Sequence, residues 1–107
     1  MMGWSPGGFD DADASSATTI ASAPGAGKRI IARAAYLSSN TACKVTVSAG
    51  AGENAKHHQH VPADGGSVIV PLEGDLLIVG DENTALTVSS DSAAAVTGKV
   101  WHTIVAM

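Results

Sequence analysis

The sequence predicts an all-β domain, an antiparallel β-sandwich of jelly-roll-like or Ig-like type behind an extended N-terminal arm, and three observations carry that prediction. Turn signals rich in Gly, Pro, Asn and Asp recur about every 8 to 12 residues, the spacing of a sandwich or barrel. The segments between them are short, rich in β-branched residues, and alternate with a period of two. No segment carries a long apolar stripe at helical spacing; "DSAAAV" (91–96) makes one helical turn at most, too short to be stable alone.

Taken in order, residues 1–15, "MMGWSPGGFDDADAS", show no hydrophobic periodicity and read as an arm outside the core, with the sandwich running from 16 to 107. The arm carries Trp4 and Phe9, whose apolar surface calls for docking, either back on their own domain or on a neighbouring subunit or larger assembly. "ATTIASA" (17–23) is a β-branched strand ended by "PGAGK". "KRIIARAAYLS" (28–38) is a long strand whose strict alternation would put Ile30, Ala32, Ala34 and Tyr36 on one face and Arg29, Ile31, Arg33 and Ala35 on the other. "CKVTVSA" (43–49) sets Cys43, Val45 and Val47 against Lys44, Thr46 and Ser48. The turn "GAGEN" leads to "AKHHQHV", and "PADGG" ends that strand. "SVIVPL", "DLLIVG", "ALTVSS" and "GKVWHTIVA" complete a set of about seven or eight strands.

Composition bounds what these strands can do. A chain of 107 residues makes one domain. Hydrophobic residues make up 45% but aromatics only 4%, so the core must be built from Val, Ile, Leu and Ala. The net charge of -4 and the lack of a basic stretch argue against a nucleic-acid partner, which needs cations to replace phosphate counterions. No segment approaches membrane-spanning length and no leader pattern opens the chain, so a soluble protein without a membrane partner is expected. Cys43, the single cysteine, has no intrachain partner and reads as a buried, inert thiol.

The densest chemistry is "KHHQH" (56–60), which holds three of the four histidines. Alternation puts His58 and His60 on one side with Lys56, and His57 with Gln59 on the other. A His-x-His pair supplies two ligands to zinc, copper or nickel, so closing a site needs Glu53, Asp64 or symmetry, such as three copies meeting around this strand. The principal expectation is therefore no cofactor and a polar, partly exposed strand whose His57, His58 and His60 pair with backbone or with neighbouring chains. At a subunit contact they would make association sensitive to acid, and the alternatives are a metal ion held within the chain or between chains at His58 and His60.

"APGAGKR" lacks the first Gly and the Ser or Thr of a phosphate-binding loop. There is no Gly-x-Ser-x-Gly elbow, His102 has no evident Asp or Ser partner, and "DDADASS" lacks the Gly and Glu of a calcium loop. The expectation is a protein that is not an enzyme. In "KVWHTIV" Trp101 and His102 alternate faces, with Trp101 expected to pack inward.

From Gly27 to Val105 the chain resembles the small all-β virion proteins of tailed bacteriophages, found as capsid decoration proteins or as tail-fibre modules. The resemblance rests on a Lys-containing strand after a Gly turn, "KVTV", "DGG" before an apolar strand, and "IVG" leading to the last strands. It implies a non-enzymatic virion structural protein, made in the bacterial host cytoplasm and carried on the capsid surface. In that role it would be a decoration or cement protein, a homotrimer, that binds the major capsid protein and stabilises the head, with Trp4 and Phe9 as anchors. The other implied role is a tail-fibre or receptor- or glycan-binding module, with Tyr36, Trp101 and His102 as the ligand surface.

Overall fold

The structure, a computed structural model, describes residues 4–63, 67–70 and 76–107. Asp64, the Asp-Gly-Gly turn and residues 71–75 lie outside the described residues. The strands are β1 (Ser5–Asp11), β2 (Thr18–Ala21), β3 (Lys28–Ser39), β4 (Cys43–Ser48), β5 (Lys56–Val61), β6 (Ser67–Val70), β7 (Ile78–Val79), β8 (Leu86–Ser90) and β9 (Val96–Ala106). A single 3-10 turn, Glu53–Ala55, precedes β5, and among the described residues there is no α-helix.

Every strand pairing is antiparallel. One sheet runs β1-β9-β3-β6, with β7 pairing β3 beyond the end of β6, and the other runs β2-β8-β4-β5. The inner faces of the two sheets share one core. Ile30, Ala32, Ala35, Leu37, Ile78, Val96 and Val100 come from the first sheet, and Val45, Val47, Val61, Leu86 and Val88 from the second. This is the aliphatic core that the composition demands, and Cys43 lies in it as expected.

The N-terminal segment differs from the expected arm. Residues 5–11 form an edge strand of the first sheet, paired in continuous register from Ser5 opposite His102 to Asp11 opposite Val96. Phe9 packs against the core from this strand. The segment showed no hydrophobic alternation because glycine occupies an inward position: a Cβ on Gly7 would lie 2.6 Å from Ile20 Cγ2 and 2.7 Å from His102 Cε1. Glycine here admits close approach of the two sheets, and apolar periodicity is lost as a result. Pro6 is tolerated because the strand lies at an edge. Thr18 donates a hydrogen bond to the Asp11 carboxylate, tying β2 to β1 across the connecting turn. Within that turn, the Ser15 hydroxyl and backbone N–H both donate to Asp13 and hold its carboxyl below the usual carboxylate range.

The strand β9 is bound on both sides, and Gly98 sits at its tightest point. A Cβ there would stand 1.9 Å from the Tyr36 carbonyl oxygen, and Phe9 occupies the position across the ladder.

Two stability outcomes follow. Gly98→Ala forces β9 away from β3 and lowers stability by about 2 to 3 kcal/mol, read as a fall in Tm of roughly 8 °C or more. Removing residues 1–11 strips the edge from β9 and uncovers the core at Phe9; the truncated chain melts lower than the full chain and aggregates on heating, whereas unchanged melting would place β1 outside the cooperative unit.

Candidate functional site

The register of β3 decides which side chains face outward. Ala32 pairs with His102 and Ala34 with Trp101, so Arg33 is an extra residue, a β-bulge. Before it the inward residues are Ile30 and Ala32; after it they are Ala35 and Leu37. The bulge shifts the phase by one, so Tyr36 is turned outward and is 36% exposed. Strict alternation, which put Tyr36 with Ile30, fails at this point.

Reading across the ladders, the outward rows of the first sheet are Val79, Ile31 and Thr103, then Ala34, Trp101 and Pro6, then Tyr36, Lys99 and Gly8. Trp4, one residue before Ser5, continues the row of Thr103. Its ring lies under the Arg33 guanidinium, 5.3 Å from the centroid, a cation-π contact. Ile31, Val79, Trp101 and Val105 are all half-buried on this face. The outer face of the first sheet thus presents an apolar and aromatic surface with Arg33 and Lys99 beside it. A shallow depression lined by Phe9, Asp10, Tyr36 and Lys99 adjoins it.

The second sheet presents the opposite chemistry. Its outward rows are Thr19, Thr87, Ser48 and Lys56, then Ser89, Thr46 and His58, then Lys44 and His60. These hydroxyls and amines have no need of a cover. The strand β5 is the edge of this sheet, and "KHHQH" occupies it.

The two faces of β5 are as alternation predicts. His57 and Gln59 face inward beside Val61, and His57 Nε2 donates to Gln59 Oε1 at 3.2 Å. His58 and His60 face outward. Thr46 Oγ1 lies 2.8 Å from His58 Nδ1, and Glu53 Oε2 lies 3.7 Å from Nε2. Thr46 Oγ1 and His58 Nδ1 share a hydrogen bond whose donor is set by the tautomer of the ring. The Glu53 pair is well exposed, with side-chain accessibilities of 43% for His58 and 80% for Glu53, so it is worth little in water. Among the described residues no three His, Cys, Asp or Glu side chains converge in a way that would hold a metal ion.

The structure separates the residues expected to share a ligand surface. Trp101 and Tyr36 lie on one outer face, but His102 points inward between the sheets, where its Nδ1 donates to the Val100 carbonyl at 3.0 Å. Trp101, expected to pack inward, is the outward member of that pair, because Val100 takes the buried position. Trp4 and Phe9 are divided in the same way, with Trp4 outward and Phe9 against the core. Sequence reasoning passed over Ile31, Val79 and Val105. Their signal was present in "RIIARAAYL", where apolar residues fall on both faces, a pattern that marks a strand covered on both sides. In the turn "PGAGK", the amides of Gly25 and Gly27 are taken by Asn83 Oδ1 at 2.9 Å and Glu82 Oε2 at 2.7 Å, so this turn cradles its own chain.

Compared with protein-family models, curated proteins and solved structures, the chain matches none.

The bulge makes a paired prediction. Leu37→Ala costs about 2 to 5 kcal/mol because it empties a core position, while Tyr36→Ala costs under about 1 kcal/mol. Chemical denaturation of the two variants checks this, and the reverse order would mean that β3 runs without the phase shift.

Proposed function

We propose that this chain is a jelly-roll β-sandwich acting as a non-enzymatic virion structural protein of a tailed bacteriophage, a capsid decoration or cement protein that binds the major capsid protein. The observation that carries this reading is the outer face of the first sheet. A solvated sheet face has no use for Trp4, Ile31, Val79, Trp101, Val105 and Tyr36 together, and a contiguous apolar face on a small domain marks an interaction surface. Trp, Tyr and Arg are also the residues that dominate binding energy at protein interfaces, and Trp4, Arg33, Trp101 and Tyr36 supply all three kinds here.

The strand order supports the jelly-roll type over the Ig-like type. Successive strands β1, β2, β3 and β4 alternate between sheets, and each sheet interleaves strands from both ends of the chain. Two four-strand layers built this way recur in viral capsid and lectin domains, an analogy of architecture rather than of site.

Mechanistically, docking by a sheet face differs from anchoring by an arm. The aromatic side chains are held by ladder pairing before the partner arrives, so little chain entropy is lost on binding. Many copies clamped across neighbouring capsid subunits would oppose the outward pressure of packaged DNA. Trp4 keeps its anchoring role in this scheme, while Phe9 acts on the chain's own core.

The test is co-sedimentation of the purified chain with cognate capsid shells lacking it. Wild-type chain sediments with the shells, and Trp101→Ala weakens binding by about 30-fold or more with the fold intact, as expected of a central anchor. A double Trp101→Ala, Tyr36→Ala variant that binds like wild type would overturn this surface as the docking face. The same aromatic face also favours a second reading, a tail-fibre module that stacks sugar rings on Trp101 and Tyr36. Retention on a glycan array, lost in Trp101→Ala and without shell binding, would select it.

A further inference from the structure

We propose that β5 is a self-complementary edge that pairs two copies of this chain across a two-fold axis at His58, joining their second sheets into one. The proposal stands on backbone geometry and is independent of the virion reading.

In an antiparallel ladder, successive residues direct their N–H and C=O groups to alternate sides of the strand. Lys44 accepts from Asp91 N–H at 3.1 Å on the β8 side, while Ala49 N–H donates to Ala55 at 2.8 Å on the β5 side. Odd-numbered residues of β4 therefore bond toward β5. With Val45 opposite Gln59 and Val47 opposite His57, the odd-numbered residues of β5 bond back toward β4. The backbone groups of Lys56, His58 and His60 face the open edge, where no strand among the described residues pairs with β5.

Two of those six groups already have partners. Lys56 N–H donates to the Glu53 carbonyl, and the Gln59 side-chain amide donates to the His60 carbonyl at 3.3 Å. The remaining set is His58 N–H, His58 C=O, His60 N–H and Lys56 C=O. A second β5, antiparallel and centred on His58, matches this set. His58 N–H meets His58 C=O of the other copy, His60 N–H meets Lys56 C=O, and the axis repeats both. The two groups that are satisfied internally face one another.

An axis at Gln59 sets Lys56 against Pro62, which has no N–H to give, and an axis at His57 sets the His58 C=O against the Lys56 N–H already given to Glu53, so each leaves a carbonyl unmet. Charge agrees with the His58 axis. The two Lys56 side chains fall four positions apart along the strand, about 13 Å, beyond the Debye length of about 8 Å at physiological salt. Antiparallel pairing closes at two copies, in contrast to a trimer meeting at the histidines.

The side chains on this edge make the contact sensitive to acid. The axis sets His58 beside His58, flanked by the two Thr46 hydroxyls, and sets His60 opposite Lys56 of the other copy. Lys44 lies across β4 from His60, and His57 lies with Gln59 on the inner face. Glu53 beside His58 is the nearest counter-charge, and it is well exposed. Each ring that takes up a proton adds a positive charge to this contact, and like charges directly opposite destabilise a strand pair.

The experiment is light scattering of the full chain from low micromolar to several hundred micromolar, with amide exchange measured alongside. A concentration-dependent dimer is expected at about pH 7.5, giving way to monomer near about pH 5. The amides of His58 and His60 gain protection as concentration rises, while those of His57 and Gln59, bonded to β4, are protected throughout. His58→Pro removes an outward N–H without touching the β4 ladder, so it should melt near wild type and stay monomeric. A monomer at every concentration overturns the proposal. So does a dimer that His58→Pro leaves intact or that forms without protecting His58 and His60; the exchange readout decides the matter even if the proline variant fails to fold.

Discussion

The insertion of Arg33 into β3 opposite Trp101 is the constraint on which the outer chemistry of this protein depends. A β-strand has a strict period of two, so one extra residue exchanges the faces of everything that follows it. Before the bulge Ile30 and Ala32 line the core; after it Ala35 and Leu37 do. Without the shift, Leu37 would stand in water and Tyr36 would have to fit among the aliphatic side chains of the core. The bulge also frees Arg33 from ladder alternation, which places its guanidinium over Trp4. Core packing and surface composition are thus set by the same residue.

From that arrangement follows a molecule with two unlike outer faces. The first sheet exposes aliphatic and aromatic side chains, and the second exposes Ser, Thr, Lys and His. The inner faces are both aliphatic, and together they bury a core that is nearly free of aromatic residues. Such a core leaves the larger side chains available for the outside. Trp4, Tyr36 and Trp101 have no structural place within a space filled by Val, Ile, Leu and Ala, and Phe9 reaches the core from an edge, opposite a glycine.

The edges divide in a comparable way. The edge strand β1 is shortened in pairing potential by Pro6, and its Gly7 brings it close to β2. At the opposite side of the second sheet, β5 has no proline within it and carries histidines, which protect an edge only when charged. The contrast between a guarded edge and a conditional one is what gives the histidine strand its interest. Its side chains are spread over both faces of a strand, an arrangement poorly suited to gathering ligands within one chain.

How much of this was legible beforehand depends on the range of the interaction. Local alternation and turn chemistry determine the all-β class, the strand positions in "CKVTVSA" and "AKHHQHV", the buried Cys43 and the opposite faces of His57 and His58, because a period of two needs only neighbouring residues. Tertiary structure decided the rest. Residues 5–11 became a strand because β9 offered an unpaired edge and Gly7 fits where no Cβ could, neither of which a periodicity test detects. Trp101 and His102 exchanged their expected roles, and Tyr36 turned outward, because phase along a strand is set by the bulge and by the register with β9. Alternation states that two neighbours face apart; only the packing of one sheet on the other states which of them faces in.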